Sequence, residues 1–380
     1  MQYRKFGQRD SFGTDKKFSA LGFGTMRLPL VGEEYADVDE AAAIEMMRYA
    51  IDNGVNYFDT AHPYHGGNSE RVLGKALAGG YRDKVSVATK LPPWEVKGPA
   101  DFDRLLNEQL ERLDCEHIDM YLLHCLQWKW WPHLRDMGIL KWLEGARADG
   151  RIGQIGFSFH DNIDMFKEIV DAYDWAFCQI QYNYMNEDVQ AGTEGLQYAA
   201  GKGLGVIVME PLLGGSLAGP GGAVGEIWSD SGLDPVDTAL QWLWDKPEVS
   251  LVLSGMSSLE QVKANIASAS RSGVGSLSSE AGETVRRVQG KYAEVSSVPC
   301  TKCRYCMPCE SGVNIPVNFE YFNAAVMFGG VTRTLHRNLY AALPEDQRAA
   351  ACVKCGRCDE KCPQSIEISS LMDQVDAELG

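Results

Sequence analysis

The sequence predicts an α/β protein in which a (β/α)8 TIM barrel is followed by a smaller, cysteine-rich domain. Three observations predict this architecture. From about residue 18 to residue 270, eight short apolar runs alternate with amphipathic helical runs, which is typical of repeated βα units around a parallel sheet. No Gly-x-Gly-x-x-Gly follows the first run, which disfavours an open, doubly wound sheet. Eight of the eleven cysteines lie in the last quarter of the chain.

The predicted elements follow in order. A hairpin is expected over residues 2–19, before the first barrel strand, closing the bottom of the barrel. Helices with apolar residues at three- and four-residue spacing are expected at Glu40–Asn53, Asp101–Leu113 and Val236–Trp244. The eight strands are predicted to begin near Ala20, Tyr57, Val85, Ile118, Ile152, Phe177, Gly205 and Val249.

The composition of the sequence changes near Pro299, after which cysteines are frequent and the predicted helices are short. Helices are predicted there around residues 317–328 and 334–343. The predicted bounds are a barrel over 1–275, a helical connector over 276–298 and a cysteine-rich domain over 299–380.

Charge and hydropathy exclude two classes of function. The formal net charge of -16 disfavours nucleic-acid binding, because that function needs a basic surface to displace counterions. No apolar run approaches the roughly 18 residues of a membrane span, and no apolar stretch follows the amino terminus. We therefore expect a cytoplasmic protein that binds neither nucleic acid nor membrane.

The cysteines form two runs of four. The first run is Cys300-x2-Cys303-x2-Cys306-x2-Cys309, and the second is Cys352-x2-Cys355-x2-Cys358-x3-Cys362-Pro363. The second has the spacing of bacterial ferredoxins, in which the fourth cysteine ligates the other [4Fe-4S] cluster. This pattern assigns Cys300, Cys303, Cys306 and Cys362 to one cluster, and Cys352, Cys355, Cys358 and Cys309 to the other.

Two alternatives stay open for these cysteines. The fourth cysteine of the first run follows after two residues where three are usual, so each run could also ligate its own cluster. A pair of zinc sites is the other alternative, although zinc ribbons split their ligands into two separated pairs. The helices predicted between the runs resemble those of α-helical, ferredoxin-like two-cluster domains.

Polar residues stand where barrel strands end, which is where catalytic groups gather in this fold. Asp59 ends the second predicted strand and Tyr64 follows in its loop, while Lys90 and His124 end the third and fourth strands. Taken singly, these residues could be a structural ion pair, a loop anchor and a core histidine. Their joint occurrence favours a catalytic site.

These stretches resemble the aldo-keto reductases. The matching segments are Asp59-Thr60-Ala61-His62-Pro63-Tyr64, Ser69-Glu70-Arg71-Val72-Leu73-Gly74, Ala88-Thr89-Lys90, Asp119-Met120-Tyr121-Leu122-Leu123-His124, Gly156-Phe157-Ser158 and Ser254-Gly255-Met256-Ser257. The resemblance covers residues 3 to about 270 and implies a catalytic tetrad of Asp59, Tyr64, Lys90 and His124.

The roles that this resemblance implies make chemical sense. An adjacent ammonium favours phenolate, so Lys90 is expected to lower the pKa of Tyr64 and let it act as the general acid. Asp59 would hold Lys90, and His124 would hydrogen-bond the substrate carbonyl oxygen. In alcohol oxidation, Tyr64 would be the base.

The resemblance also implies a nicotinamide cofactor. Ser158 and Gln179 match residues that bind its carboxamide, and Met209 occupies the position where an aromatic ring often stacks on the nicotinamide. The other matching positions are Pro211, Leu212 and Gly214 in the loop over the pyrophosphate, Gly255, Met256 and Gln261 near the 2′-phosphate, and Asn265 near the adenine. Gly255 and Gln261 replace the Lys and Arg of many members, so NADP is expected and NAD stays open.

Aromatic residues flank the expected pocket mouth. Trp94 follows Lys90, and the segment Gln127-Trp128-Lys129-Trp130-Trp131 follows His124. They could stack on a planar or ring-shaped substrate, or pack loops against the cysteine-rich domain.

The sequence thus predicts an NAD(P)H-dependent oxidoreductase that interconverts a small carbonyl compound and an alcohol. Its two [4Fe-4S] clusters would be structural, or would relay electrons to or from a redox partner protein. The alternative is an electron-transfer protein, or a reductase fed by the clusters in which nicotinamide is not the direct reductant.

Overall fold

The computed structural model of the chain describes residues 1–7, 17–295, 297–300, 306–362 and 365–380. These residues divide into two compact units. The first unit comprises Met1–Pro211 and Asp237–Ser278, and the second comprises Leu212–Val236 and Ser279–Gly380. Within the described ranges, every helix is too short or too polar to cross a bilayer.

The described ranges contain ten strands and fifteen α-helices. The strands are β1 (Tyr3–Lys5), β2 (Lys17–Ser19), β3 (Leu21–Gly24), β4 (Tyr57–Asp59), β5 (Ser86–Leu91), β6 (Ile118–Leu126), β7 (Ile152–Phe159), β8 (Phe177–Gln181), β9 (Gly205–Met209) and β10 (Leu251–Gly255). The helices are α1 (Glu40–Asp52), α2 (Asn68–Leu77), α3 (Ala100–Leu113), α4 (Trp131–Asp136), α5 (Ile139–Ala148), α6 (Ile163–Ala172), α7 (Gly192–Gly201), α8 (Gly222–Ser231), α9 (Pro235–Trp244), α10 (Leu259–Ala269), α11 (Ser279–Val295), α12 (Ile315–Phe328), α13 (Gly330–Ala342), α14 (Arg357–Lys361) and α15 (Ile368–Leu379).

The first unit is a closed barrel of eight parallel strands. The strands follow one another around the barrel in the order β10-β3-β4-β5-β6-β7-β8-β9, so each strand pairs with its neighbour in sequence. This arrangement confirms the predicted (β/α)8 fold. A side-chain cap marks the start of some helices, as at α1, where the Asp39 carboxylate accepts a hydrogen bond from the Ala42 backbone N–H at 3.1 Å.

The predicted amino-terminal hairpin is also present, because β1 pairs with β2 in antiparallel register. Its loop, residues 8–16, lies outside the described residues. Phe6 and Phe18 are buried in a cluster inside the barrel, where Phe18 packs against Tyr57 with ring centroids 5.6 Å apart. The hairpin therefore supplies apolar side chains to the barrel interior.

This interior cluster shows which strand residues point inward. It joins side chains from six of the eight barrel strands, including Tyr57, Ala88, Met120, Leu122, Phe177, Ile207 and Leu253. Because strand side chains alternate between two faces, residues two positions further along point inward as well, nearer the carboxyl ends. These residues are Asp59, Lys90, His124, Gln179 and Met209, with Gln181 two positions beyond Gln179.

The second unit is helical. Its core gathers buried residues of α12, α13 and α15, including Phe319, Phe322, Tyr340, Met372 and Val375. The predicted helices at 317–328 and 334–343 correspond to α12 and α13, each beginning a few residues earlier than expected. Residues 212–236, predicted as barrel, pack with this unit. The boundaries of the functional domains stay a prediction.

Candidate active site

A buried ion pair lies at the carboxyl ends of β4 and β5. The Lys90 ammonium donates to Asp59 Oδ1 at 2.6 Å and to the Thr60 carbonyl at 2.7 Å. Burial raises the pKa of Asp59 and lowers the pKa of Lys90, while the attraction between the two groups opposes both shifts. The second carboxylate oxygen, Asp59 Oδ2, is buried without a hydrogen-bond partner among the described residues.

A second buried carboxylate stands behind Lys90. Glu70 is fully buried and accepts hydrogen bonds from Thr89 Oγ1 at 2.6 Å and from Gln109 Nε2 at 3.1 Å. Gln109 Nε2 also donates to the Lys90 carbonyl oxygen at 2.9 Å, and the Arg112 guanidinium lies 3.3 Å from Glu70 Oε2. These contacts fix the backbone of β5 where Lys90 leaves it. The sequence predicts no role for Glu70, although this residue lies in a segment that resembles the family.

Tyr64 lies over the ion pair. The Lys90 ammonium is 5.0 Å from the centroid of the Tyr64 ring, and the Tyr64 and His124 rings meet edge to face at 6.1 Å. Unlike Asp59 and Lys90, Tyr64 is partly exposed. The loop reaches this position through positive φ angles at His65, Gly66 and Gly67, of which His65 (φ 53°) is the costly one.

The pKa of Tyr64 shifts in the direction opposite to the one expected from the sequence. Desolvation by the surrounding protein raises it well above 10, and the negative charge of Asp59 raises it further. The expectation from the sequence included the Lys90 ammonium and its pairing with Asp59, but not the desolvation of the phenol or the effect of the Asp59 charge on the pKa of Tyr64. Tyr64 is therefore a firmly protonated phenol at neutral pH.

His124 is the fourth tetrad residue at this site. Burial lowers its pKa well below 6.5, and the nearby Lys90 ammonium lowers it further, so the imidazole is neutral. Its Nδ1 atom is buried and has no hydrogen-bond partner within the described part of the chain. The Trp94 ring lies 5.1 Å from the His124 ring. All four predicted tetrad residues thus meet inside the carboxyl end of the barrel.

Three predicted cofactor residues lie beside the tetrad. Ser158 and Gln179 are paired in the register of β7 and β8, and both are buried. The Ser158 hydroxyl accepts the Cys125 backbone N–H at 2.7 Å, and the Gln179 amide nitrogen lies 3.5 Å from the Met209 sulfur. Gln179 Oε1 is buried without a partner in the described ranges. A nicotinamide carboxamide, which needs a hydrogen-bond acceptor for its N–H groups, fits this oxygen.

The other predicted cofactor residues follow β10 and β9. Gly255 is exposed, Met256 is buried, and Gln261 Oε1 accepts the Ser257 backbone N–H at 2.8 Å. The side-chain amide of Asn265 donates to Ser254 Oγ at 3.0 Å. In this structure the amide nitrogen of Asn265 is therefore already hydrogen-bonded within the protein.

In the loop after β9, Pro211 is buried, and Leu212 and Gly214 (φ 67°) belong to the second compact unit. Their roles toward a cofactor stay predictions.

Apolar side chains are exposed on the loops that follow β3, β5 and β6. Trp94 is 37% exposed and Trp128 is 57% exposed, whereas Trp131 is fully buried against Trp175 with centroids 6.1 Å apart. Trp94 and Trp128 are therefore available to a ligand, and Trp131 is not. The loop after β3 adds Met26, Leu30, Val31 and Tyr35.

In the second unit, most of the predicted cluster ligands surround one apolar core. Those that pack against it are Cys300, Cys306, Cys309, Cys352, Cys358 and Cys362. Cys355 is exposed, and Cys303 lies in the stretch 301–305, outside the described residues. Within the described stretches, no three His, Cys, Asp or Glu side chains converge as metal ligands. The donor set itself, eight thiols in two runs, suits iron-sulfur clusters.

Comparison with known proteins identifies the family of this chain. The aldo/keto reductase family model matches residues 20–274, and a 4Fe-4S dicluster domain model matches residues 299–367. L-galactose dehydrogenase of Arabidopsis thaliana is 31% identical over 67% of this chain and 85% of its own length. The NADH-specific methylglyoxal reductase of Escherichia coli is 27% identical over 67% of this chain and 90% of its own.

Solved structures agree with the sequence comparison. The holo form of an aldo-keto reductase from Bacillus halodurans is 25% identical and superimposes with a TM-score of 0.62, over 76% of this chain and 96% of the other. A Klebsiella pneumoniae aldo/keto reductase in complex with NADP and acetate is 25% identical, with a TM-score of 0.61 over 75% of this chain and 95% of the other. This chain, an oxidoreductase with a carboxyl-terminal 4Fe-4S dicluster domain, belongs to the aldo/keto reductase family.

Proposed function

We propose that this chain interconverts a carbonyl compound and an alcohol, with NADP(H) as the hydride carrier and Tyr64 as the general acid for reduction. The observation that carries the proposal is the position of the Lys90 ammonium, which contacts Asp59 at 2.6 Å and lies 5.0 Å from the Tyr64 ring centroid. A phenol, a buried cation and a neutral imidazole then surround one position where a carbonyl oxygen can bind.

The proton step follows from the state of Tyr64. Because its pKa is raised, Tyr64 keeps its proton until a stronger base forms beside it. An alkoxide is such a base, so the phenol donates its proton to the developing alkoxide oxygen of the substrate. The Lys90 ammonium then stabilises the phenolate that remains, and neutral His124 donates a hydrogen bond to the same substrate oxygen.

The buried amide and hydroxyl beside the tetrad would orient the cofactor. Bound NADPH supplies the hydride. Gln179 Oε1, which is buried without a partner among the described residues, would accept a hydrogen bond from the nicotinamide carboxamide. The Ser158 hydroxyl, which already accepts the Cys125 N–H, would donate to the carboxamide, and Met209 would support the ring. The remaining contacts in the barrel would come from Pro211, Gly255, Met256, Gln261 and Asn265.

Arg27 supports NADP as the preferred cofactor. A Cβ atom added to Gly255 would lie 3.1 Å from Arg27 Cδ, so the arginine side chain covers the position where a family lysine is absent. It supplies a cation there that could bind a 2′-phosphate. The Klebsiella relative binds NADP, whereas the Escherichia coli relative is described as NADH-specific, so NAD use is tested in parallel.

The carboxyl-terminal unit would hold two [4Fe-4S] clusters with the cysteine assignment given above. Their role is structural, or they relay electrons to a redox partner protein. Hydride transfer moves two electrons at once and needs no one-electron carrier, which favours the structural role. The second candidate function, a reductase fed by the clusters, is supported by the dicluster match and by the exposure of Cys355.

The test is turnover by the anaerobically purified chain. NADPH and NADH oxidation are measured with a panel of small aldehydes and ketones, for the wild type and for Tyr64→Phe. We expect Tyr64→Phe to lower kcat at least about 100-fold with the cofactor Kd unchanged, because it removes only the acid. Tyr198→Phe on α7 is the matched control. Retained turnover in Tyr64→Phe would refute the role of Tyr64, and cluster-dependent reduction without nicotinamide would favour the second candidate.

A further inference from the structure

His65, the residue directly after Tyr64, has a backbone conformation that residues with a Cβ atom rarely adopt. Its φ is 53° and its ψ is 41°, which lie in the left-handed region. The next two residues, Gly66 and Gly67, also have a positive φ, but they have no Cβ atom to crowd the backbone. A glycine at position 65 would therefore be less strained than the histidine. Strain of this kind persists where the contacts of the side chain outweigh it.

The His65 ring contacts the loop after β3. The residue is 1% exposed. Its Nε2 atom accepts the Leu28 backbone N–H at 3.2 Å, so the ring proton resides on Nδ1, which donates to the Tyr35 carbonyl oxygen at 2.7 Å. Burial lowers the pKa of His65, which favours the neutral ring that this pattern requires. Both ring nitrogens thus have partners within the protein, and neither needs a ligand.

These contacts hold a loop that is itself closed. We call it the β3 loop and define it as residues 28–38. Leu30 and Val38 pair across it in an antiparallel β-bridge. The Tyr35 ring, in the middle of the loop, stacks on the His65 ring with centroids 4.4 Å apart. Because His65 contacts both the first residue of the β3 loop and its middle, the loop and the turn at His65 hold each other in place.

The position of Tyr64 depends on this turn. The Tyr64 ring centroid lies 5.0 Å from the Lys90 ammonium and 6.1 Å from the His124 ring centroid. Ring contacts of this length fix the direction of a side chain less strictly than a hydrogen bond does, so the backbone has to place the phenol. That backbone continues directly into His65. The β3 loop and Tyr64 are thus connected through one buried imidazole.

We propose that His65 is a positioning residue for the general acid: its imidazole joins the β3 loop to the turn that carries Tyr64 and so keeps the phenol in place for proton transfer. The inference rests on the proposed function. A general acid has to lie within hydrogen-bond distance of the oxygen that it protonates, and a displacement of about 1 Å lowers turnover strongly. The strain at His65 supports this role, because a glycine would relieve the strain but would leave the loop and the turn unconnected.

Replacement of His65 by glycine tests the connection, because glycine accepts the backbone conformation and removes the ring. NADPH oxidation by the full-length, cluster-containing chain is measured with the panel of small aldehydes and ketones. We expect His65→Gly to lower kcat at least about tenfold, while KM and the NADPH Kd change less than about twofold. Asp114→Gly is the matched control, because Asp114 is an exposed residue with a φ of 50° at the end of α3. It should change kcat less than about twofold.

A double variant shows whether His65 acts through Tyr64. In Tyr64→Phe the acid is already absent, so the loss of the imidazole has no acid to displace. The kcat of Tyr64→Phe/His65→Gly should therefore stay within about threefold of that of Tyr64→Phe. A further tenfold loss in the double variant would show that His65 acts independently of Tyr64, which would overturn the proposal.

Hydrogen exchange follows the same connection without turnover. The exchange of peptides that cover the β3 loop is measured by mass spectrometry in the protein without NADPH. Because the Leu28 amide is bonded to the imidazole, His65→Gly should make this exchange at least about tenfold faster, and Asp114→Gly should not. His65→Asn is measured in the same way and keeps the test decisive if His65→Gly does not fold. Asparagine tolerates the left-handed region but is too short to reach both Leu28 and Tyr35, so we expect the same losses.

The remaining outcomes separate this inference from the proposed function. Unchanged exchange of the β3 loop would show that the loop does not depend on His65, and faster exchange with kcat within about twofold of wild type would show that Tyr64 does not depend on the loop. Either result would overturn the proposal and leave the proposed function standing, as would a tenfold rise in the NADPH Kd that accounts for the kinetic loss. Retained turnover in Tyr64→Phe would refute the proposed function and the role of His65 toward the acid, whereas the exchange measurement would still decide whether His65 holds the β3 loop.

Discussion

Arg27 and Gly255 are in direct contact at the carboxyl end of the barrel: a Cβ atom on Gly255 would lie 3.1 Å from Cδ and 3.2 Å from Cβ and Cγ of the arginine. The backbone carbonyl of Arg27 also accepts a hydrogen bond from Ser257 Oγ at 2.9 Å. A side chain at position 255 would therefore crowd Arg27, and glycine leaves room for the arginine. The turn after β3 thus places a cationic side chain beside Gly255, the position that is predicted to lie near a 2′-phosphate.

Arg27→Gln is expected to weaken NADPH binding selectively. If the guanidinium meets the 2′-phosphate, the variant should raise the Kd for NADPH about tenfold and change the Kd for NADH less than twofold. Fluorescence titration of both nucleotides measures this. Lys263→Gln, which removes an exposed cation from α10, is the matched control. Equal losses for the two nucleotides would mean that Arg27 contacts a group they share.

The Asp59–Lys90 pair is expected to behave as a buried ion pair in unfolding experiments. Lys90→Met leaves the Asp59 carboxylate buried and unpaired, so it should lower the free energy of unfolding by about 3 kcal/mol. The double variant Asp59→Asn/Lys90→Met removes both charges and should recover most of that loss, while carbonyl reduction stays abolished. Urea unfolding followed by tryptophan fluorescence compares the three proteins.

The result that would contradict this view is a Lys90→Met variant as stable as the wild type. It would mean that the two charges are not desolvated together. Recovery of activity in the double variant would instead refute the role of the ammonium in catalysis.

The barrel and the meeting of polar side chains at its strand ends could be predicted from the sequence, because both follow from local pattern. Eight βα units leave few topologies, and residues at the ends of adjacent parallel strands must meet, as Asp59 and Lys90 do. The pKa of Tyr64 could not be predicted in the same way, since its direction depends on burial and on the Asp59 charge as well as on Lys90.

Other features depend on contacts between distant parts of the chain. Glu70 and Gln109 are 39 residues apart in sequence yet share a hydrogen bond, and Arg27 meets Gly255 from the opposite end of the barrel sequence. The contacts of His65 with Leu28 and Tyr35 span 37 and 30 residues of sequence, so they are visible only in the structure.

Protonation of His124 is expected to couple stability to pH. Its pKa is lowered in the folded protein, so below about pH 6.5 the unfolded chain binds a proton that the folded chain does not. Stability is therefore full above pH 6.5 and falls as the pH drops, by about 1.4 kcal/mol per pH unit from this residue. Unfolding between pH 7 and pH 5 should show a smaller slope for His124→Asn than for the wild type.

His133→Asn, which replaces an exposed histidine of α4, is the control and should change the slope less. A slope that is identical in His124→Asn and in the wild type would contradict the neutral, desolvated imidazole. Because the His124 imidazole is neutral in the folded protein, we also expect its protonation to cause no loss of kcat between pH 6 and pH 8.

The eight carboxyl-terminal cysteines predict about eight iron atoms per chain after anaerobic purification, because each [4Fe-4S] cluster contains four. Cys355→Ala removes an exposed cysteine that is predicted to be a ligand and should lower the iron content to about four, whereas Cys115→Ala in the barrel should leave it unchanged. If the clusters are structural, Cys355→Ala keeps NADPH-dependent carbonyl reduction within about twofold of wild type, since hydride transfer bypasses them. Loss of turnover with unchanged NADPH affinity would instead show that electrons pass through the cluster, and a colourless, zinc-containing protein would contradict the cluster assignment altogether.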